Sequence, residues 1–253
     1  LPTASKEALQ MDRPDFPVGG VGYLPLHHRK LPTRQTGNAN EAFVVKRQSG
    51  KVKITLDDNP WPDESVLPGF QNTVTAYANA MEQLAMQLLP LYARALELDP
   101  HFFDPAFTSP MYRLRMTKYP AMIPKAGDKF GIAPHVDTSF LTILAQDREG
   151  LVIYSEQRQC WLRAPVVEGA LLVNSGELLR QWTNDVFLSV KHFANNNHNR
   201  NNDNEPRYSI PFFFNANADY RMHCIPTCCS DTDNPPKYPP FSYEESQAIA
   251  QGE

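Results

Sequence analysis

Apolar residues recur at alternating steps of four and three between Gly69 and Leu98, which is the spacing of one helix face. The stripe consists of Phe70, Val74, Tyr77, Met81, Leu84, Leu88, Leu91 and Ala95. It predicts an amphipathic helix with one buried side. Pro90 lies inside this stretch, and because proline lacks a backbone donor we expect it to kink or divide the helix. With 23 prolines in the chain, long uninterrupted helices are not expected.

From Met111 onward the helical period gives way to short runs rich in strand-forming residues, separated by turn residues. The runs are MYRLRMTKY, SFLTILAQ, LVIYSE, WLRAPV, ALLVNSG, FLSVKHF and RYSIPFFF. Such spacing is typical of an antiparallel sandwich or barrel. We therefore predict a mainly β protein with a helical layer. Residues 111–253 would form a double-stranded β-helix (jelly roll) core, and residues 1–110 an irregular and helical part packed on it.

Composition and charge narrow the class of partner. The chain is 42% hydrophobic and 21% charged, like an ordinary globular protein, and its net charge of -4 disfavours nucleic acid and anionic membranes. No apolar run reaches the roughly 18 residues of a membrane helix. We expect a small-molecule substrate, no nucleic acid, no membrane and a cytoplasmic location, and the oligomeric state stays open.

Three of the four cysteines share the stretch HCIPTCC, residues 223–229, and the fourth is Cys160. The stretch has no second pair of ligands at a spacing that suits zinc, so free thiols are favoured over a metal site. Cys228 and Cys229 are adjacent and can barely pair with each other. We therefore expect a reducing compartment.

The sequence APHVDTSF places His135 and Asp137 two positions apart beside a predicted strand. In an extended chain such residues project from the same face, so both side chains can bind one ion. A third ligand would come from His192, His198 or His223, and His192 ends the strand-like run FLSVKH. Two histidines and one carboxylate form the facial triad of non-haem iron(II) oxygenases, although zinc accepts the same ligands.

Arg207 and Ser209 lie two apart on the next predicted strand, which could pair with the strand of His192. A guanidinium and a hydroxyl on one face can together hold a carboxylate. An oxygenase that takes electrons from a 2-oxo acid needs such an anchor.

The ordered set of HVD, His192, RYS at 207–209, KYP at 118–120 and VNSGELLRQWTND at 173–185 resembles the isopenicillin N synthase-like family of iron(II)- and 2-oxoglutarate-dependent oxygenases. The resemblance covers nearly the whole chain, from GYLPL and NEAFVVKR to CIPTC and NPPKYPPFSYEE. It implies Fe(II) as the cofactor, with 2-oxoglutarate and O2 as co-substrates. The implied reaction oxidises, most often hydroxylates, a small molecule and releases succinate and CO2.

The resemblance also implies roles for single residues. The family's iron ligands match His135, Asp137 and His192, and its pair for the distal carboxylate of 2-oxoglutarate matches Arg207 and Ser209. Tyr119 matches a tyrosine that hydrogen-bonds the co-substrate, and this assignment rests on the resemblance alone. Substrate contacts are predicted at Arg113, Arg115, Phe212 and Phe214. The two arginines would bind an acidic substrate, with outward ion pairs as the alternative.

The sequence departs from the family pattern in three places. Phe193 and Ala194 follow the last histidine where the family usually has arginine and valine. The asparagine-rich segment 195–206 predicts a solvated, mobile loop. Family members usually carry several dozen more residues before the first one here and a longer C-terminal helix, so we expect this chain either to be truncated or to have unresolved termini.

Two other functions stay open at this point. Isopenicillin N synthase itself uses its Arg-x-Ser pair on the substrate, so a 2-oxoglutarate-independent iron oxidase is one alternative. A zinc-dependent hydrolase or binding protein is the other. Succinate formation with O2 uptake separates the favoured function from both.

Overall fold

The computed structural model describes residues 1–11, 13–14, 19–27, 38–121, 130–195 and 205–246. The strands in these ranges are β1 (Gly22–Leu24), β2 (Glu41–Arg47), β3 (Met111–Tyr119), β4 (Phe130–His135), β5 (Leu141–Gln146), β6 (Leu151–Ser155), β7 (Cys160–Arg163), β8 (Leu172–Ser175), β9 (His192–Asn195) and β10 (Arg207–Asn215). The α-helices are α1 (Thr3–Glu7), α2 (Phe70–Ala95) and α3 (Glu177–Trp182). Short 3-10 helices span Asp104–Phe107 and Pro226–Cys228.

The strands form two antiparallel sheets. The larger sheet has the order β1-β2-β3-β10-β5-β8, and the smaller one has the order β4-β9-β6-β7. Because β10 lies between β3 and β5, strands far apart in sequence are neighbours in space. Two such sheets define a jelly roll. The predicted mainly β fold with a helical layer is therefore confirmed.

Helix α2 runs without a break for 26 residues, with Pro90 inside it. The expectations of a divided helix and of no long helices are therefore wrong. Its buried residues are Val74, Ala78, Ala85, Leu89 and Ala93, whereas Leu91 is 58% exposed. The predicted stripe thus lies to one side of the true buried face. Small alanines let the helix approach the sheet closely, and this packing offsets the hydrogen bond that Pro90 cannot make.

The main core lies between α2 and the larger sheet and is rich in aromatic rings. Phe103, Phe140 and Trp182 meet edge to face at centroid distances of 5.2 to 6.1 Å. Phe107 stacks on Phe214 of β10 at 5.1 Å. One face of the larger sheet therefore packs against α2, which leaves its opposite face to form a site with the smaller sheet.

The N-terminal part contributes strands to the larger sheet. Strand β2 pairs with both β1 and β3, and Glu41 of β2 accepts hydrogen bonds from Lys6 and Tyr23. The larger sheet thus runs across residue 110, where the domain boundary was predicted. The division into 1–110 and 111–253 stays a prediction.

Two further sequence predictions concern a segment and a residue type. Most of the asparagine-rich segment, from 196 to 204 and including His198, lies outside the described ranges.

The cysteines are all described and free, with Cys228 buried and Cys160 exposed. None of the helices in the described ranges has the length and hydropathy of a membrane span.

Candidate active site

A cavity of about 260 Å³ lies between the two sheets. Its wall is mainly apolar and includes Leu144, Leu151, Ile153, Leu172 and Val190. The polar residues that reach it come from both sheets and from the connection after β4. They include all six residues to which the sequence assigned iron or co-substrate contacts, namely His135, Asp137, His192, Arg207, Ser209 and Tyr119.

Three potential metal ligands converge on one side of this cavity. His135 ends β4 and His192 begins β9, and the two residues are direct partners in the antiparallel pairing. Asp137 Oδ1 lies 3.6 Å from Nε2 of His135 and 3.5 Å from Nε2 of His192. In the described part of the chain this is the only group of three such side chains close enough to share a metal ion.

The pairing of these strands corrects two details of the sequence prediction. His192 begins a strand instead of ending one, because the preceding residues of the run are not extended in a sheet. Strand β9 pairs with β4 and β6, whereas β10 belongs to the other sheet. Arg207 therefore faces the triad across the space between the sheets.

Backbone carbonyls hold both histidine rings in one tautomer. Nδ1 of His135 lies 2.8 Å from the Ala133 carbonyl, and Nδ1 of His192 lies 2.8 Å from the Val190 carbonyl. Since a carbonyl oxygen only accepts, each Nδ1 carries the proton and donates it. Each Nε2 is left with a lone pair directed towards Asp137, as a metal ligand requires.

Neutral side chains orient the Asp137 carboxylate. Its Oδ2 accepts hydrogen bonds from the Thr142 hydroxyl at 2.7 Å and from the Asn174 amide at 2.9 Å. Burial opposes ionisation, but the interaction with His192 and these two hydrogen bonds outweigh it and lower the pKa of Asp137 to about 2. The Asp137 backbone carbonyl accepts from the Glu177 N–H at the start of α3, at 2.8 Å. The carboxylate is thus charged and fixed, with Oδ1 directed at the histidines.

The two histidines differ in their surroundings. Burial and the neighbouring His192 lower the pKa of His135, whereas Asp137 outweighs the effect of burial and raises the pKa of His192. The side chain of His135 is 39% exposed, against 13% for His192 and 4% for Asp137. The His135 side of the triad is therefore the one that solvent reaches most easily.

Arg207 is a buried cation with one unused end. It is 1% exposed, and its guanidinium lies over the Tyr119 ring at 4.8 Å. Nε donates to the Arg148 carbonyl and Nη2 to Gln146 Oε1, both at 3.0 Å. Nη1 is buried and has no hydrogen-bond partner. Since an unpaired buried charged donor is costly, this atom indicates an anionic ligand in the cavity.

Ser209 and Tyr119 lie beside Arg207 because of strand geometry. Ser209 is two residues further along β10 and faces the same side, and Tyr119 on β3 is the direct pairing partner of Arg207. Both residues contribute to the cavity wall. A hydroxyl, an aromatic face and a guanidinium thus meet at one end of the cavity.

Of the four residues predicted to contact the substrate, only Arg115 is part of the cavity wall. Arg115 lines the cavity and donates to Asn40 Oδ1 at 2.7 Å. Arg113 is on the same face of β3, but it donates to the Gly20 carbonyl and is not part of the cavity wall. Phe212 and Phe214 are fully buried in the core against α2, so their prediction is wrong. Side chains alternate along β10, and Phe213 and Pro211 form the wall instead.

The sequence reasoning missed the residues that orient the site. Thr142 is a polar residue within the apolar run SFLTILAQ, which is a usable signal for a buried hydrogen bond. Asn174 lies in the segment VNSG, which supported the resemblance without a role for this residue. Gln146 and Gly150 carry no signal in the sequence, because their contacts depend on how β5 and β6 are joined.

Comparison with known proteins gives the family. The model of the 2OG-Fe(II) oxygenase superfamily matches residues 109–216. The 2-oxoglutarate-Fe(II) type oxidoreductase hxnY of Emericella nidulans is 35% identical, over 97% of this chain and 71% of that protein. Kihadalactone A synthase LFS of Citrus sinensis is also 35% identical, over 86% of this chain and 67% of its own length.

A solved structure supports the fold independently. A 2OG-Fe(II) oxygenase family protein from Caulobacter crescentus superposes with a TM-score of 0.83 at 25% identity, covering 100% of this chain and 81% of that one. The chain belongs to the 2OG-Fe(II) oxygenase superfamily. It is a non-haem iron(II)- and 2-oxoglutarate-dependent oxygenase, with Fe(II) as cofactor and 2-oxoglutarate and O2 as co-substrates.

The residues present fit this cofactor. Two imidazole nitrogens and one carboxylate oxygen are the donor set of the facial triad. Zinc accepts the same donors, so the family and not the geometry decides between the two metals. The family relatives likewise favour 2-oxoglutarate dependence over the alternative of a 2-oxoglutarate-independent oxidase.

Proposed function

We propose that His135, Asp137 and His192 hold the Fe(II) and that Arg207, Ser209 and Tyr119 hold 2-oxoglutarate, for the hydroxylation of a small molecule. The observation that carries this assignment is the unpaired Nη1 of buried Arg207, a residue that lines the same cavity as the triad. Bound Fe(II) supplies the redox chemistry that couples oxidative decarboxylation of 2-oxoglutarate to oxidation of the substrate by O2.

The side chains divide the work between them. The Nε2 atoms of both histidines and Oδ1 of Asp137 would hold the metal. Arg207 and Ser209 take the distal carboxylate, which orients the 2-oxo acid with its other end towards the metal. The apolar wall keeps water from the reacting centre.

The cavity also supports a substrate class. Its wall combines apolar residues such as Ile132 and Phe213 with the cation Arg115. The positive charge of Arg115 is close enough to contribute, after burial and His192, to the lowered pKa of His135. We assign the substrate as a small, largely apolar molecule whose acidic or hydrogen-bond-accepting group contacts Arg115.

The first experiment is anaerobic titration of the apoprotein with Fe(II) and then with 2-oxoglutarate. A weak visible charge-transfer band is expected when the 2-oxo acid chelates the metal. Arg207→Ala should raise the Kd for 2-oxoglutarate by roughly tenfold or more, since a charge-assisted hydrogen bond is lost. Arg163→Ala, at an exposed arginine on strand β7 of the smaller sheet, is the matched control and should bind like the wild type.

The outcomes separate the possible functions. If Arg207→Ala binds 2-oxoglutarate as the wild type does, the proposed co-substrate anchor is wrong. If Fe(II) binds but no band forms with the wild type, the 2-oxoglutarate-independent oxidase replaces the proposal. Arg115→Gln should leave the band unchanged and alter only the range of substrates oxidised.

A further inference from the structure

The turn that joins β5 to β6 is shaped around the guanidinium of Arg207. A Cβ on Gly150 would lie 2.7 Å from Cδ of Arg207, 2.8 Å from its Nε and 3.3 Å from its Cζ. The two shortest of these distances are closer than real Cβ atoms approach. The Arg207 side chain therefore occupies the space that a side chain at position 150 would need.

Two hydrogen bonds that the guanidinium donates to residues 146 and 148 fix its rotation. The Arg148 carbonyl accepts from Nε, and Gln146 Oε1 accepts from Nη2. Tyr119 covers one face of the group. Because these contacts use Nε and Nη2, Nη1 is the end left over for a ligand.

The turn itself is anchored to both sheets. The Gly150 carbonyl accepts from the Asn195 N–H of β9 at 2.8 Å, in the smaller sheet. Asp147 pairs with Tyr208 of β10 through two hydrogen bonds, of 2.8 and 3.2 Å, in the larger sheet. Arg207 is thus held by a segment whose position is set relative to the strand that begins with His192.

We propose that Gly150 and Gln146 are positioning residues for the co-substrate. They act through Arg207, by fixing the point at which Nη1 meets the distal carboxylate relative to the metal ligands. This inference rests on the proposed function, in which Arg207 binds 2-oxoglutarate. Glycine at 150 is also favoured by its backbone, whose φ of +159° is rarely adopted by other residues, so the test must separate backbone strain from the contact with Arg207.

The test compares two ligands that differ only where Arg207 acts. 2-Oxoglutarate carries the distal carboxylate, whereas 2-oxobutyrate can chelate the metal but has no group for Arg207. In the anaerobic Fe(II) titration, Gly150→Ala should raise the Kd for 2-oxoglutarate by roughly tenfold, as expected when a charge-assisted hydrogen bond is misplaced. The Kd for 2-oxobutyrate should not change. Gly169→Ala is the matched control, because its φ is also positive, at +71°, and a Cβ there would meet nothing within 4 Å.

A second variant avoids any change to the backbone at position 150. Gln146→Leu removes the acceptor for Nη2 without adding bulk beside the guanidinium. This variant should also raise the Kd for 2-oxoglutarate and leave the Kd for 2-oxobutyrate unchanged. Melting temperatures and Fe(II) affinity measured on both variants show whether the fold and the metal site are intact.

A double mutant tests whether Gly150 acts through Arg207. Arg207→Ala removes Cδ, Nε and Cζ, which are the atoms that a Cβ at 150 would meet. Adding Gly150→Ala to Arg207→Ala should therefore not raise the Kd for 2-oxoglutarate any further. An equal loss in both backgrounds would overturn the inference.

The remaining outcomes distinguish this inference from the function on which it rests. If Arg207→Ala weakens 2-oxoglutarate while Gly150→Ala and Gln146→Leu bind it normally, the positioning role is wrong and the proposed function stands. If Arg207→Ala itself binds 2-oxoglutarate as the wild type does, Arg207 is not the anchor of the distal carboxylate. The proposed function and this inference are then both wrong.

Discussion

At the scale of single residues, Asn174 and Thr142 determine what Asp137 can do. Both donate to Oδ2, so Oδ1 alone is left for the metal. Without them the carboxylate could rotate, and its charge would be less well compensated inside the protein. The metal site therefore depends on two neutral side chains that are not ligands.

Asn174→Ala should weaken Fe(II) binding by about 10- to 100-fold, the range typical when a partner of a metal ligand is removed. The measurement is an anaerobic Fe(II) titration, with the melting temperature of the apoprotein as a check on folding. Asn217→Ala, at an amide near Pro105 and Thr108 and outside the cavity wall, is the control. Unchanged affinity in Asn174→Ala would show that Thr142 alone orients the carboxylate.

The limits of sequence reasoning at this scale are shown by β10. The spacing of Arg207 and Ser209 predicts that they share one face, and the structure puts both in the cavity wall. Phe212 and Phe214 are predicted to contact the substrate, but they lie in the core. The strand is buried on both faces, so hydrophobicity does not tell which side faces the site. The side that faces the site follows only from counting in steps of two from Arg207, which leads to Ser209, Pro211 and Phe213.

At the scale of elements, α2 shows how the buried face of a helix is set by its smallest residues. Its most buried positions are alanines with Leu89, while the larger residues Tyr77, Met81, Leu84 and Leu88 pack at the sides. The period of the apolar residues predicted the helix correctly. It could not predict the exact rotation, because a broad apolar stripe allows several faces to turn inward.

Two leucines of α2 provide a direct test of this rotation. Leu89→Ala should lower the free energy of unfolding by about 2 to 5 kcal/mol, because Leu89 is 1% exposed and its removal leaves a cavity. Leu91→Ala should change it by no more than about 0.5 kcal/mol, since that side chain is 58% exposed. Chemical denaturation of both variants measures the difference. Equal losses would contradict the observed helix rotation.

At the scale of the whole molecule, Glu41 ties the N-terminal elements to the larger sheet. Its carboxylate contacts Lys6 of α1 at 2.8 Å, Tyr23 of β1 at 2.8 Å and Lys118 of β3 at 3.2 Å. Burial opposes its ionisation, but the hydrogen bonds from these three residues outweigh this effect and lower the pKa of Glu41 to about 2. Ionised Glu41 thus stabilises the folded state.

The sign of this shift gives a pH dependence. A carboxyl whose pKa is lower in the folded state stabilises the fold above its ordinary pKa of 4.5, and this contribution is lost as the pH falls towards about 2. Glu41→Gln should therefore be less stable than the wild type at neutral pH, with a difference that shrinks below about pH 4.5. Urea denaturation across this range measures it. Glu168→Gln, at an exposed carboxylate, is the control variant.

The overall fold was predictable in class but not in strand pairing. Alternation and turn spacing predicted the strands, and the resemblance predicted the jelly roll. Which strands pair depends on contacts between residues far apart in sequence, as between β10 and β3. For this reason the expected pairing of the strands of His192 and Arg207 was wrong, although both residues reach the same cavity.

The carbonyl of Val190 orients His192, while the side chain of Val190 forms part of the cavity wall. The backbone carbonyl of Val190 thus orients a proposed metal ligand and is present whatever the residue type, whereas the side chain that forms the wall can be exchanged by mutation. Substitution of Val190 is therefore expected to change the shape of the cavity while the His192 ring keeps its proton on Nδ1.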